Sequence, residues 1–573
     1  MNCVFCTQNA PSGFQSSKVN PMVLRERRAA CSSRAAVLKN LIVLACVGLA
    51  SQAVLADGQS GKLLVATSYY AGNTAIITPN VTMSGGVVDG FDGSYPNVFQ
   101  NNVADGSFGV TSPITLEVFE TESKRQTGSI DISTRASVHG TNIVTSFSSK
   151  SELALNVSQD GRSVTFMGYN APVNQLDASN ANTASVIDPS NAVTPIVPRA
   201  IGRIDLFDGS FHVNTINAYS GNNGRAVVLA NGRYYMAGNA GNSGKSPKPS
   251  NGVLDALSAN TGVQMLDPTS ATVAGGAYNS TVVGTQICPS CANTGNGNQY
   301  GYSITQYGYS ADKTGKDDNF RGMTLFDGTL YVTKGSGGNG IDTVFQVGAT
   351  GALAHGGGIP SDAPITILPG FNTTSEKAIE ANSSTPNGLY HPFGIWFANA
   401  NTLYVADEGD GDISDAATSR YAGLQKWMFD GTKWNLAYTL QNGLNLGQNY
   451  VVFGGLKSDG SIDPNGAGYS YMTATDGLRN ITGKVNKDGT VTIYAVTSTV
   501  SAGTGDQGAD PNKLVTIVDN IASTTASQVS GEAFTEVQTA AYGQVLRGVA
   551  LIEGGKLPDY GHATAAGFVV DED

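Results

Sequence analysis

Charge is scarce in this sequence. Asp, Glu, Lys and Arg make up 14% of the residues, against about a quarter in an average soluble protein. That scarcity disfavours long, charged surface helices. Basic runs are missing from the body of the chain, and the net charge is −12. Nucleic acid and anionic membranes recruit basic patches, so neither is expected as a partner. The 3.6-residue period of amphipathic helices is nearly absent, because Gly, Asn-Gly or Asp-Gly breaks every apolar run. No G-x-S-x-G elbow and no HExxH occur, so the serine-hydrolase and zincin signatures are excluded. The five histidines, at 139, 212, 355, 391 and 562, form no spaced metal pair.

Cysteine is scarce too, and its placement matters. Four of the six (Cys3, Cys6, Cys31 and Cys46) fall within the first 56 residues. That stretch has a basic part, MVLRERRAACSSRAAVLKN, then the apolar run LIVLACVGLASQAVLA, then Asp57. It reads as a signal peptide over 1–56, with Met22 as an alternative start. An uncleaved anchor and a lipoprotein at Cys46 are the other readings. Export to the periplasm or the extracellular space is therefore expected, with no membrane span after cleavage. Cys288 and Cys291 remain, in ICPSCAN. In an exported chain a local disulfide is the expected reading of this pair. A redox dithiol and half of a zinc site are the alternatives. No His follows Cys291, which excludes c-type haem attachment.

What the chain has in abundance is glycine, 71 residues of 573, and short apolar runs between turns. Asn319 to Gly340 reads NFRGMTLFDGTLYVTKGSGGNG. Asn223 to Asn242, NGRAVVLANGRYYMAGNAGN, repeats its order without gaps. HPFGIWFANANTLYVADEGDGD matches with one extra residue in the turn. GLRNITGKVNKDGTVTIYAVTST matches with a longer hairpin, and SELALNVSQDGRSVTFMGYNAP more loosely. VLRGVALIEGG near the C-terminus supplies a first strand alone, and GKLLVATSYYAGN near the N-terminus supplies its partner.

Each unit predicts an inner hairpin that cannot bury both faces alone, so the units stack around an axis. The split unit predicts a ring closed by pairing the first and last strands. The fold expected is all-β: a six-bladed β-propeller, the count good to one blade, over 57–573. Insertions fall near 80–112, 267–318, 351–389 and 441–475. An open sandwich or solenoid would not explain a half-unit at each end.

In a propeller, the start of each inner strand and the loop after the second strand lie at one end of the ring. Arg225, Arg321, Arg479 and Arg547 begin their units, so they are expected to converge on one mouth of the channel. In the HPFGIW unit Phe393 takes that slot, with His391 two residues earlier as a candidate general base. Clustered guanidiniums suit a carboxylate or phosphate. Hydrogen bonds to carbonyls of the neighbouring blade, or pairing with an acidic loop residue, are the structural alternative. Lys334 is the cation of an equivalent loop. Asp407, Glu408, Asp410 and Asp412 crowd one loop and are candidate ligands for Ca2+, or else a solvated acidic turn or partners for the arginines. Tyr302 and Tyr309, with Tyr300 and Tyr307, offer stacking surfaces for a sugar-like ligand on a Gly-rich insertion, or fasten that loop.

HPFGIWFANANTLYVADEG and FRGMTLFDGTLYVTKG resemble the NHL/SMP-30-like six-bladed β-propellers. The resemblance implies a fold more than an activity, because propellers host lactonases, lyases, phosphatases and pure binding proteins. The function expected is binding of a small anionic or polyhydroxylated ligand at the channel mouth, with metal-assisted hydrolysis or lactone chemistry as its catalytic form. The alternative is a non-catalytic surface or periplasmic scaffold whose long loops contact protein or glycan. The sequence leaves open whether the protein is an enzyme.

Overall fold

The computed structural model describes chiefly residues 61–70, 110–175, 196–240, 260–284, 318–376, 390–450, 473–501 and 508–553, with short gaps inside some ranges. Residues 1–60, Cys288, Cys291, Tyr300, Tyr302, Tyr307, Tyr309, His139 and His562 lie outside the described residues. Gly61–Asp573 forms one compact unit. Among the described residues, no helix is long and apolar enough to cross a membrane.

Six four-stranded antiparallel sheets make the six blades of a propeller. Blade 1 is the split one: Gln544–Ile552 pairs with Lys62–Tyr69, followed by Ile114–Glu120 and Gln126–Asp131. Blade 2 runs Asn156–Val157, Ser163–Tyr169, Arg199–Asp205, Phe211–Ile216. Blade 3 runs Gly224–Ala230, Arg233–Gly238, Gly262–Leu266, Thr281–Val282. Blade 4 runs Met323–Phe326, Thr329–Lys334, Thr343–Val347, Ile365–Ile367. Blade 5 runs Pro392–Asn399, Thr402–Asp407, Gly423–Phe429, Trp434–Leu440. Blade 6 runs Thr473–Val485, Thr490–Ser501, Lys513–Asn520, Thr535–Thr539. The repeated units of the sequence are the two inner strands of each blade.

The turns explain the hairpins. Asn231-Gly232 and Asp327-Gly328 all have positive φ, between 46° and 76°. Two such residues in succession make the turn whose twist matches the flanking strands, and Asn-Gly or Asp-Gly tolerates it best. In blade 5 the extra turn residue appears as a register shift between Phe397 and Asn399.

The core lies between blades, not within them. Adjacent residues of a strand face opposite neighbours. Leu63 and Val65 of blade 1 pack with Val496 and Leu514 of blade 6. Leu64 and Ala66, alternating with them, pack with Val164 and Phe166 of blade 2. Val227 and Tyr234 face blade 2, whereas Val228 and Tyr235 face blade 4. Leu403 and Val405 face blade 4, whereas Tyr404 and Ala406 face blade 6. Both faces of an inner strand are thus buried, which is why these strands read as continuous apolar runs. Each fully buried Val, Leu or Phe contributes roughly 1.5–3 kcal/mol, so a blade draws its stability from both neighbours. Closure of blade 1 completes that circuit.

Candidate functional site at the arginine end of the channel

The inner strands meet at a constriction near their starts, and small residues make it possible. A Cβ on Gly322 would sit 2.0 Å from the carbonyl oxygen of Phe393. One on Gly394 would sit 2.3 Å from Arg479 O, and one on Gly548 would sit 2.0 Å from Leu153 O. Asn480 Nδ2 donates to Arg547 O at 3.2 Å, and Ala154 N donates to Arg225 O at 3.2 Å. Arg225 Nη1 donates to Phe320 O at 2.7 Å. These contacts run blade to blade around the axis. They place Leu153, Arg225, Arg321, Phe393, Arg479 and Arg547 as equivalent residues of one ring. Four of the six are arginines, each between 3% and 5% exposed.

The guanidiniums share one electrostatic environment. Burial, and then Arg321, hold Arg225 well below its ordinary pKa, while Tyr169, Glu152 and Glu408 oppose that shift. Burial lowers Arg547 to about 10; Glu152 opposes, and Arg479 adds to the lowering. Arg479 Nε donates to Glu408 Oε2 at 2.9 Å, and its guanidinium carbon lies 6.0 Å from the centre of the Phe393 ring. Arg225 Nε donates to Asn223 Oδ1 at 2.9 Å, and Nη1 also reaches Asn319. Arg547 Nη2 donates to Phe147 O at 2.5 Å and to Gly508 O at 3.3 Å. Its Nε and Nη1 are buried and meet no acceptor among the described residues.

On the other side of the constriction lies a cavity of about 350 Å3. Ala154, Gly322, Gly394 and Asn480, each the residue after a ring position, are among its lining. Trp396, Thr324, Thr482 and Glu553 line it further along the strands. This cavity thus abuts the arginine ring from the far end of the strands.

A second group occupies the arginine end, between blades 4 and 5. Lys334, at the end of blade 4's second strand, pairs with Asp342 Oδ1 at 2.5 Å, and both are buried. His391 Nδ1 lies 3.8 Å from Asp342 Oδ2 and 3.2 Å from Gly335 O. Its backbone N–H donates to Asp407 Oδ2 at 2.8 Å. Asp342, Glu376 and His391 each bring one metal-ligating atom within 4.8 Å of the others. Burial, and then the charge of Asp342, raise Glu376 to about 7, with His391 and Lys334 opposing. Burial lowers the His391 pKa, but Asp407, Asp342, Glu376 and Glu408 together outweigh it and leave it raised.

The acidic loop after blade 5's second strand uses its carboxylates in different ways. Asp407 accepts from His391 N, from Gln425 Nε2 at 2.8 Å and from Gly409 N at 3.1 Å. Burial raises it to about 6 against those bonds and His391. Glu408 pairs with Arg479. Asp410 Oδ1 accepts from Asp412 N at 2.9 Å, and Asp412 Oδ1 accepts from Ser414 N at 2.8 Å. Asp410 and Asp412 are exposed. Among the described residues, the gathering of three metal-ligating side chains is Asp342, Glu376 and His391.

The structure therefore brings together Arg225, Arg321, Arg479, Arg547 and Glu408, and places Lys334, His391 and Asp407 beside one another at the same end. It adds Glu152, Asp342 and Glu376, which sequence reasoning did not single out. Glu152 directly precedes Leu153, which stands where other blades carry arginine. Asp342 directly precedes a third strand at the end where Lys334 leaves the second. Glu376 falls in the 351–389 insertion, whose length alone marked it.

A different buried polar cluster shows what full satisfaction looks like. Lys426 Nζ pairs with Asp519 at 3.0 Å and donates to Tyr438 OH at 2.9 Å, Asn520 O at 2.8 Å and Ser523 O at 3.0 Å. Tyr404 and Tyr438 both donate to Asp519. That network ties blade 5 to blade 6.

No protein-family model matches the chain, and no curated protein does. Among solved structures, the acylaminoacyl peptidase of Pyrococcus horikoshii aligns at 6% identity and a TM-score of 0.27, over 75% of this chain and 49% of that one. An ulvan lyase of polysaccharide lyase family PL25 aligns at 10% identity and a TM-score of 0.27, over 82% and 97%. The chain spans about half the length of the acylaminoacyl peptidases it matches, 49% and 55% of two of them. Likeness at this level carries no argument about activity. The structure bears out the six-bladed propeller, and no family match supports the finer NHL/SMP-30-like assignment.

Proposed function

We propose that the arginine end of the channel binds a small anionic or polyhydroxylated ligand, and that the protein acts after export. The observation that carries the reading is Arg547. A guanidinium only 3% exposed has two nitrogens that meet no acceptor among the described residues, in a ring with three more arginines. A buried, unpaired cationic donor costs several kcal/mol by rough measure, and a carboxylate, sulfate or phosphate oxygen relieves that cost. Guanidiniums bind such groups bidentately. Glu408 and Glu152 offset part of the positive charge, which suits a ligand carrying few charges. Export is supported by the basic and apolar N-terminal run. Metal-assisted hydrolysis or lactone opening is the catalytic form of this reading.

The test is thermal melting of the purified protein with phosphates, sulfates, sugar acids and lactones. A ligand that binds only the folded state raises the melting temperature. A rise with one anion class, lost in Arg547→Gln, supports the reading. No rise with any of them would turn attention to a scaffold that meets protein or glycan through its long loops.

A further inference from the structure

Asp342, Glu376 and His391 come from three separate segments at the arginine end of blades 4 and 5. Asp342 follows the loop after blade 4's second strand, Glu376 lies beyond its fourth, and His391 immediately precedes blade 5. The three are between 3% and 7% exposed. Among the described residues, each carries a buried polar atom with no hydrogen-bond partner: Asp342 Oδ2, Glu376 Oε2 and His391 Nε2. Native proteins rarely leave one such atom unmet, and three together point to something that binds them.

Charge narrows what that is. Two carboxylates face one ammonium, Lys334, which already sits on Asp342 Oδ1 at 2.5 Å. Beyond Lys334, the nearest cationic group to Asp342 Oδ2 is the His391 imidazole, 3.8 Å away at Nδ1. The buried oxygens of Asp342 and Glu376 that accept no hydrogen bond suit a bound cation. The neighbouring acids do not compete for it: Asp407 is taken up by N–H donors and Glu408 by Arg479.

We infer that Asp342 Oδ2, Glu376 and His391 form a binding site for one divalent transition-metal ion, with Zn2+ the best match. The inference does not rest on the anion reading. One imidazole and two carboxylates are zinc ligands, whereas Ca2+ and Mg2+ prefer oxygen alone. Three protein ligands leave a fourth position open, the pattern of catalytic zinc rather than of closed structural sites. The surroundings fit as well. Gly335 O can only accept, so Nδ1 carries the proton and the lone pair of neutral His391 is on Nε2. Lys334 holds the other oxygen of Asp342. Such outer partners orient metal ligands and fix the histidine tautomer. Tetrahedral zinc sets its ligand atoms about 3.4 Å apart for bonds of about 2.1 Å. The three side chains each offer a ligand atom within 4.8 Å of the others, so binding draws them closer and turns the imidazole to present Nε2.

The experiment is titration of the chelator-stripped protein with Zn2+ and with Ca2+ by calorimetry, followed by zinc X-ray absorption on the loaded wild type. The expected result is one Zn2+ per chain, bound at least tenfold more tightly than Ca2+. Its first shell contains nitrogen and oxygen with an imidazole signature. Glu376→Gln and His391→Gln each weaken zinc binding at least tenfold. Should either variant fail to fold, the wild-type spectrum decides alone. The inference is overturned if the wild type binds no zinc, if it prefers Ca2+, or if both folded variants bind as tightly as wild type. Sulfur in the shell, meaning that Cys288 and Cys291 hold the ion, overturns it equally.

Discussion

Arg479 Nε donates to Glu408 Oε2 at 2.9 Å, joining the middle of blade 6's inner strand to the loop after blade 5's second strand. Both side chains are buried. Removing one member of a buried pair leaves the other charged and unpaired, at a cost of about 3–5 kcal/mol. Arg479→Met is expected to lose about 3 kcal/mol in urea unfolding. The double variant Arg479→Met, Glu408→Gln is expected to regain more than half of that. Equal losses in the single and double variants would show that the pair does not couple the two blades.

The constriction makes a sharper structural prediction. Gly322→Ala drives a methyl to 2.0 Å from Phe393 O, a backbone atom that cannot swing away. Overpacking of this kind costs about 1–3 kcal/mol. Gly128→Ala, where nothing lies within 4 Å, is the control and should leave the unfolding midpoint nearly unchanged. Parity between the two variants would mean that the inner strands do not approach as described.

Ring closure is testable by truncation. Ending the chain after Gly543 removes Gln544–Ile552, the innermost strand of blade 1 and the bearer of Arg547. Blade 1 would then keep three strands, and both of its neighbours would lose the apolar contacts that the removed strand makes. The truncated protein should lose cooperative unfolding in a denaturant series. A cooperative transition with the full-length midpoint would refute the split blade as the closing element.

The pH dependence has a definite sign at Glu532. Burial and the neighbouring Asp519 raise its carboxyl from 4.5 to about 7. Between those values the folded protein holds a proton that the unfolded chain has released. Stability from this group is therefore present below about 4.5 and is lost as pH rises through about 7. Glu532→Gln should remove that slope and leave the variant more stable than wild type above pH 7. Parallel stability–pH curves for wild type and variant would contradict the assignment.

Much of the fold was legible because the inner hairpins are the most constrained part of a propeller. Asn231-Gly232 and Asp327-Gly328 announce their turns, and apolar side chains on both faces announce strands buried between blades. The half-units at the two ends announced closure. The convergence of the arginines followed from topology, since strand starts and second-strand exits share one end of the ring. The glycines after Arg321, Phe393 and Arg547 carried a readable signal of close approach. Glu152, Asp342 and Glu376 were not legible in this way. Asp342, Glu376 and His391 meet from three separate segments, and no spacing in the sequence encodes that meeting. The acidic run Asp407–Asp412 does have a spacing, but backbone N–H groups two residues on take up Asp410 and Asp412 locally. Such turns are what Asp does in loops with or without a cation.

The most direct test of the functional reading is calorimetric titration of the anion that gives the largest melting shift, into wild type and Arg547→Gln, at low and at high salt. The account predicts one site per chain in the wild type, weaker binding at high salt, and at least a tenfold loss in Arg547→Gln. Equal affinity in the two proteins would contradict it.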